Sequence, residues 1–176
     1  MKHVASGIEY HNKGKYNEAI EEYKKAIEID PKNADAYYNM GSALGLQKKH
    51  NEAISAFQKA IEIDPKYAEA YNNMGVALYE QKKYSEAIDT LKKAIEIDPK
   101  NATAYSNMGN AYHSLRKYQE AIAAYKKAIE LDPKFAYAYN NMGAALNEQK
   151  KYNEAIEVLK KAIEIDYKYN RLKFRF

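Results

Sequence analysis

The sequence predicts an all-α fold in which five antiparallel helix hairpins stack one upon the next. The first observation behind this prediction is that four prolines recur every 34 residues, each in an Ile/Leu-Asp-Pro-Lys string: Pro31, Pro65, Pro99 and Pro133. The second is that small residues recur with the same period: Gly7, Gly41, Gly75, Gly109, Gly143 and Ala19, Ala53, Ala87, Ala121, Ala155. The third is composition, since 7 Gly, 4 Pro and a hydrophobic fraction of 46% suit helices joined by short turns. Self-similarity at this period indicates stacked helical repeats.

The repeat also sets the predicted domain organisation. We expect a single array over residues 1-169, followed by a basic and aromatic C-terminal tail over 170-176. The five predicted units are 1-33, 34-67, 68-101, 102-135 and 136-169.

The first helix of a unit is predicted from helical spacing. In the second unit, Tyr37, Gly41 and Leu44 recur on one stripe, which indicates an amphipathic helix. Gly41 lacks bulk where a second helix must approach, so we expect close packing at that point. A polar, lysine-containing turn over 47-50 then ends the first helix.

The second helix of the unit carries its own apolar stripe. Asn51 is expected to cap its N-terminus, and Ala53, Phe57 and Ala60 lie on one face. Pro65 ends this helix, because proline cannot donate the backbone hydrogen bond and disfavours helix in the residue before it. One hairpin alone cannot bury its apolar face, whereas stacked hairpins can.

The order of these positions resembles the tetratricopeptide repeat family over nearly the whole chain. In the third unit the matching residues are Tyr71, Met74, Gly75, Leu78, Ala87, Leu91, Ala94 and Pro99. The two ends depart from the pattern, with His3 and Ser6 in the first unit and Tyr167 in place of the last proline. The resemblance implies a right-handed superhelical solenoid that acts as a non-catalytic protein-interaction scaffold, with first helices lining a concave groove.

Asparagines dominate the predicted groove. Asn39, Asn73, Asn107 and Asn141 recur in the last four units, and only Ala5 breaks the row. An amide both donates and accepts, so such a row can pair with the backbone of an extended peptide. The row resembles the asparagine ladder in the repeat region of the O-linked N-acetylglucosamine transferase. The alternative is that these amides bond a neighbouring helix or water. The predicted peptide-binding residues are Asn39, Asn72, Asn73, Asn107, Asn110, Asn140, Asn141 and Asn147.

Charge defines the expected partner. The groove arc carries Asp35, Glu69, Glu80 and Glu148, which favour a neutral or basic peptide. Chaperone adaptors that hold the acidic tails of heat-shock proteins instead use lysine and arginine there. The chain has 28 basic and 24 acidic residues, a net charge of +4, which gives little support for nucleic-acid binding.

The sequence contains no motif that is typical of catalysis, cofactor binding or membrane insertion. The chain has no Cys, and its four histidines have no metal-ligand spacing. No Gly-rich phosphate loop or nucleophile motif occurs, so we expect neither enzyme activity nor a cofactor. Without a secretory signal or a membrane-spanning stretch, a cytoplasmic location is expected.

The C-terminal repeat predicts an alternative function, self-association into homo-oligomers. Ile156, Leu159 and Ile163 repeat an apolar stripe that the next hairpin covers elsewhere in the array. Because Tyr167 replaces the proline, the last helix is expected to continue and to extend this stripe through Tyr167 towards Phe174. A second copy of the chain is one expected cover, and a frayed tail is the other reading.

Overall fold

The computed structural model describes the backbone of residues 2-173 and the side chains of residues 2-168. Ten helices make up this described part, which confirms the all-α prediction: α1 (Lys2–Asn12), α2 (Tyr16–Ile29), α3 (Ala34–Leu46), α4 (His50–Ile63), α5 (Ala68–Glu80), α6 (Tyr84–Ile97), α7 (Ala102–Ser114), α8 (Tyr118–Leu131), α9 (Ala136–Glu148) and α10 (Tyr152–Lys173).

Each predicted repeat is one antiparallel hairpin of a first and a second helix. The chain divides into two compact units, Met1–Ile97 with α1 to α6 and Asp98–Phe176 with α7 to α10. In the first unit, α2 packs against α3 and α4 packs against α5. In the second unit, α8 packs against α9 in the same way. Helices α2, α4 and α8 thus bury their apolar stripes against the hairpin that follows them in their unit.

Glycine permits the close approach of the two helices within a hairpin. A Cβ added to Gly41 would lie 2.7 Å from the ring of Phe57, and one added to Gly75 would lie 2.6 Å from Cγ of Leu91. The predicted close packing at Gly41 is confirmed. The same contact recurs in all five repeats, where the residue 16 positions after the glycine fills the space: Tyr23, Phe57, Leu91, Tyr125 and Leu159.

The turns inside the hairpins contain a residue in the left-handed region. In the first repeat this residue is Gly14, with φ of 72°. The other four repeats place a long side chain there, with φ of 60° or 61°: Lys48, Lys82, Arg116 and Lys150. The backbone N–H of Lys49 donates to the carbonyl oxygen of Leu44 at 3.0 Å, which closes the end of α3. A side chain is strained at this backbone conformation, so these four positions reduce stability.

The predicted cap at Asn51 is wrong. Helix α4 begins at His50, and its N-cap residue, Lys49, makes no side-chain capping bond. Asn51 lies inside the first turn, and its Oδ1 accepts a hydrogen bond from Nε2 of Gln81 at 2.6 Å. Side-chain caps occur instead at first helices, where Oδ1 of Asn33 accepts from the backbone N–H of Ala36 at 2.9 Å.

The last helix continues beyond the point where the other second helices end. Helix α10 extends from Tyr152 to Lys173, which confirms the continuation predicted from Tyr167. The predicted domain boundary at residue 169 therefore falls inside a helix. Residues 174-176 of the predicted tail, with Phe174, lie outside the described residues.

Candidate functional site

The candidate site is the surface formed by the first helices of the hairpins, which we call the first-helix face. It consists of α1, α3 and α5 in the first unit and of α7 and α9 in the second. Successive first helices contact one another in each unit, whereas the described residues of successive second helices make no such contact. The first-helix face is therefore the inner side of each unit, where a bound chain could contact several helices.

In the first unit, one predicted asparagine links two first helices. Asn73 lies on α5, and its Nδ2 donates to the hydroxyl oxygen of Tyr38 on α3 at 3.1 Å. Its Oδ1 accepts from Nδ2 of Asn72 at 3.1 Å. Asn39 differs, because its Nδ2 donates to the carbonyl oxygen of Asp35 in its own helix at 2.8 Å.

In the second unit, Asn110 is the centre of a hydrogen-bond network. Its Oδ1 accepts from the hydroxyl of Tyr125 and from Nδ2 of Asn141, both at 2.8 Å. Its Nδ2 donates to the hydroxyl oxygen of Tyr137 at 3.2 Å. This network was not predicted from the sequence, although the hydroxyl of Tyr125, at a position that holds Phe57 or Leu91 in the two preceding repeats, was a signal of it.

The eight predicted asparagines do not form one uniform row. Asn72 is buried, with 9% of its surface exposed, and its role in peptide binding stays a prediction. Asn39, Asn73, Asn107, Asn110 and Asn141 are half-buried, and Asn140 and Asn147 are exposed.

The side-chain amides of Asn73 and Asn141 each keep a hydrogen-bond donor for a further partner. An asparagine amide has two donor hydrogens and an oxygen with two lone pairs. The bond from Asn73 to Tyr38 uses one donor hydrogen, and so does the bond from Asn141 to Asn110. The second hydrogen of each amide is not needed for these bonds. Each side chain is thus held in place by a neighbouring first helix while it retains a donor for a further group.

Carboxylates give the first unit an acidic edge. A cavity of about 570 Å³ is lined by Asp30, Asp35, Asp64 and Glu69, with Lys32 and Lys66 as its basic residues. The hydroxyl of Tyr67 donates to Oδ1 of Asp35 at 2.9 Å. Burial and the Asp35 carboxylate raise the pKa of Tyr67 above its ordinary value, so this hydroxyl stays protonated as a donor. The excess of carboxylates favours a basic group at this edge.

A larger cavity of the first unit lies away from the first-helix face. It measures about 780 Å³ and lies between α2 and the next hairpin, over Ile20, Met40 and Leu44. A smaller cavity of about 520 Å³ occurs at the equivalent place one repeat later, over Ile54, Met74 and Leu78. Because the cavity recurs in two successive repeats of the first unit, it follows from the stacking itself. Its size alone does not make it the better candidate site.

The C-terminal hairpin exposes apolar side chains that are covered elsewhere. Ile156 is 51% exposed, whereas its equivalents Ile20 and Ile122 are each 7% exposed beneath the following hairpin. Ile163 and Tyr167 are 68% and 65% exposed. Leu159 was predicted to share this surface, but it packs inward against Gly143 of α9 and is half-buried. Of the residues predicted to form this surface, Ile156, Ile163 and Tyr167 are therefore the exposed ones.

Metal-binding and membrane-spanning features were searched in the same described part of the chain. No group of three or more His, Asp or Glu side chains there is placed to hold a metal ion. No helix there combines the length and the apolar character that crossing a bilayer requires.

Comparison with solved structures identifies the same fold over nearly the full chain. A crystal structure of MamA is 33% identical and covers 94% of this chain and 96% of its own, with a TM-score of 0.85. PilF of Pseudomonas aeruginosa is 25% identical over 93% of this chain and 74% of its own, also with a TM-score of 0.85. YrrB, described as a protein of this repeat class with an unusual peptide-binding site, is 24% identical over 93% and 84% of the two chains, with a TM-score of 0.74. The comparison with curated proteins returns no match.

Family models account for most of the sequence. A model of the tetratricopeptide repeat matches residues 7–48, 46–82 and 77–116. Two further tetratricopeptide repeat models match residues 102–135 and 124–157. Together these matches cover residues 7–157, where the structure shows the stacked hairpins. The chain therefore belongs to the tetratricopeptide repeat family and has the fold of a protein-interaction scaffold.

Proposed function

We propose that this chain is a non-catalytic scaffold that binds an extended, neutral to basic peptide along its first-helix face. The observation that carries the proposal is the arrangement of Asn73 and Asn141. Each amide is half-buried, is held by the preceding first helix, and keeps one donor hydrogen beyond that bond. Such amides bond the N–H and C=O groups of a peptide backbone whatever its side chains are.

Preorganisation is the reason that these amides suit binding. An asparagine in solution samples several rotamers, and fixing a side chain on binding costs about 0.5 to 1.5 kcal/mol. The bonds to Tyr38 and Asn110 fix the two side chains before a peptide arrives. Hydrogen bonds to the peptide backbone are then formed at a smaller entropic cost.

Charge supports the chemistry proposed for the partner. Asp35 and Glu69 lie at the acidic edge of the first unit, and Glu80 lies at the end of α5. All three are exposed, so their attraction for a basic peptide is screened as the salt concentration rises. We expect the carboxylates to select among peptides and to add little affinity at physiological salt. The description of YrrB as a protein of this repeat class with an unusual peptide-binding site supports peptide binding as such.

The first prediction concerns the two asparagines. Asn73→Ala and Asn141→Ala should each weaken peptide binding by about 0.5 to 1.5 kcal/mol, the usual net value of a hydrogen bond. The measurement is isothermal titration calorimetry with a neutral to basic peptide that the wild-type protein has selected from a display library. Acidic peptides of the same length should bind more weakly, with a difference that shrinks in high salt.

Asn153→Ala is the matched control, because Asn153 is an exposed residue near the start of α10, away from the first-helix face. Thermal unfolding is measured in parallel, since Asn73→Ala also removes a bond between α3 and α5. If the double variant Asn73→Ala/Asn141→Ala remains folded and binds the peptide as tightly as the wild type, the proposed role of the amides is wrong.

Self-association through the C-terminal hairpin is a second proposal, based on the exposure of Ile156, Ile163 and Tyr167. The N-terminal hairpin offers a more polar surface, on which Ile8 and Tyr10 are the exposed apolar residues of α1, at 41% and 36%. Its packing positions carry polar residues, with Lys2 and Glu9 where α3 carries Ala36 and Ala43. An apolar surface gains most by meeting a second apolar surface, so the pairing that fits is an isologous contact between two C-terminal hairpins.

The second prediction tests this pairing with one substitution in α10. Ile163→Asp should weaken self-association by about tenfold or more, because a carboxylate buried in an apolar contact is strongly disfavoured. Multi-angle light scattering over a range of protein concentrations measures the effect. Ile29→Asp is the control, since Ile29 is likewise exposed, at 73%, but lies at the end of α2. A wild-type chain that stays monomeric at high micromolar concentration would exclude the interface.

A further inference from the structure

We propose that the first-helix face of the first unit contains one specificity pocket that takes an apolar side chain of the bound peptide. The pocket has a volume of about 340 Å³ and lies between α3 and α5, beside the start of α4. Its apolar lining consists of Gly45, Leu46, Phe57, Val76 and Ala77. The proposal rests on the peptide binding proposed above and adds which residue of the peptide is selected.

The pocket exists because the second repeat lacks an aromatic ring that other repeats have. At the hairpin turn, the ring of His11 packs on Tyr16, with centroids 5.4 Å apart. Two later repeats show the same pairing, at 5.4 and 5.3 Å: Tyr79 with Tyr84, and His113 with Tyr118. The equivalent pair in the second repeat is Gly45 with His50. With no ring at position 45, the space beside His50 stays open.

Gly45 is not required for packing or for backbone geometry. A Cβ added to Gly45 meets no atom within 4 Å, in contrast to Gly41, whose added Cβ would lie 2.7 Å from the Phe57 ring. The residue lies within α3 and has no positive φ. An alanine would fit there and would strengthen the helix, because glycine is about 1 kcal/mol less favourable than alanine in a helix. The one evident consequence of glycine at this position is the open pocket.

The lining and the size define the occupant. Leu46 is 55% exposed and Val76 is 36% exposed, so two aliphatic side chains face water beside the same cavity. Phe57 and Ala77, which are buried, also line the cavity. A cavity of about 150 Å³ suffices for benzene, so 340 Å³ accommodates one large aliphatic or aromatic side chain. Burial of that side chain would remove the exposed surfaces of Leu46 and Val76 from water.

Two polar residues at the rim of the pocket, Asn73 and Glu80, can contact the peptide backbone and a basic side chain of the peptide. Asn73 lines the pocket, so a peptide backbone bonded by its amide would place a side chain at the opening. Glu80 is exposed at the rim and favours a lysine or arginine next to the apolar residue. The selected sequence is therefore an apolar residue beside a basic one.

The experiment is a titration of the ¹⁵N-labelled protein with N-acetyl-phenylalanine amide, followed by nuclear magnetic resonance. This neutral probe has one aromatic side chain between two peptide groups. We expect saturable shifts of the amides of Ser42, Leu46, Val76 and Glu80, and none with N-acetyl-alanine amide. Gly45→Tyr supplies the missing ring, as Tyr79 does for Tyr84. It should weaken probe binding by about tenfold or more, as expected for a blocked apolar pocket.

Gly45→Ala is the matched variant, because it makes the same backbone change and leaves most of the pocket open. It should bind the probe within about threefold of the wild type, well short of the tenfold loss. If the wild type shows no saturable shifts, or if Gly45→Tyr binds the probe as well as Gly45→Ala does, the pocket is excluded.

The two proposals fail in different ways. Peptide binding that depends on Asn73 and Asn141 but is unaffected by Gly45→Tyr leaves the proposed function intact and removes the pocket. Probe binding that Gly45→Tyr abolishes, in a protein whose asparagine variants bind peptide normally, leaves the pocket intact and removes the role of the amides.

Discussion

Gly75→Ala is expected to lower the free energy of unfolding by about 1 to 3 kcal/mol, the usual cost of overpacking a well-filled core. The added Cβ would lie 2.6 Å from Cγ of Leu91, and Leu91 is fully buried. One of the two helices must move, because Cγ is close to the backbone of α6 and cannot rotate far away. The higher helix propensity of alanine, about 1 kcal/mol, offsets only part of this cost.

Three further variants show whether the close contact is the cause. Gly45→Ala makes the same change in α3, where the new Cβ meets no atom within 4 Å, and should leave stability unchanged or raise it. Leu91→Ala alone should cost about 2 to 5 kcal/mol, and adding Gly75→Ala should not increase that loss, because the cavity accommodates the new methyl group. Chemical denaturation, fitted with a nearest-neighbour repeat model, measures all four chains. Equal effects of Gly75→Ala and Gly45→Ala would contradict this explanation.

Replacing the four left-handed turn residues with glycine is expected to raise the free energy of unfolding by about 2 to 4 kcal/mol in total. The positions are Lys48, Lys82, Arg116 and Lys150, with φ near 60°. A side chain in this conformation costs about 1 to 2 kcal/mol, and the extra freedom of glycine in the unfolded chain returns about 0.4 to 1 kcal/mol of that. The four sites are one repeat apart and share no contact, so their effects should add.

The first repeat supplies the reverse experiment. It already has Gly14 at the equivalent position. Gly14→Lys should therefore lower the free energy of unfolding by about as much as one of the four glycine substitutions raises it. Lys126→Gly in the middle of α8 controls for glycine itself and should cost about 1 kcal/mol. If the fourfold variant unfolds at the same denaturant concentration as the wild type, the left-handed residues are not strained.

Most of the fold could be predicted from the sequence, because the same pattern of residues occurs in five repeats. Pro31 and its equivalents predict the helix ends, and Gly41 with Phe57 predicts the close contact within a hairpin. The cap at Asn51 could not be predicted correctly, because the choice between a cap and a position two residues further depends on where the hairpin turn ends. That turn ends at Lys49 and includes the left-handed residue Lys48. A lysine in the sequence does not indicate a left-handed backbone conformation.

The candidate site was less predictable, because equivalent residues do not have equivalent neighbours. Asn39 and Asn73 occupy the same repeat position, yet one bonds its own helix and the other bonds Tyr38 of the preceding helix. The sequence contains Tyr38, but its hydrogen bond with Asn73 depends on the relative placement of α3 and α5, which the sequence does not give. Leu159 shares its periodic stripe with Ile156 and Ile163, and only the structure shows that it packs against Gly143. Periodicity identifies a helix face, whereas contacts decide which side chains remain on the surface.

The central claim is that a peptide binds along the first helices and not in the larger cavities between second helices. Paramagnetic relaxation enhancement tests it most directly, with a nitroxide at the centre of the library-selected peptide and the ¹⁵N-labelled protein. We predict strong broadening of the amide signals of Ser42 on α3 and Val76 on α5, with the signals of Ser55 on α4 and Thr90 on α6 unchanged. Ser55 and Thr90 line the cavity between the second helices. Broadening of Ser55 and Thr90 with sharp signals from Ser42 and Val76 would contradict the claim.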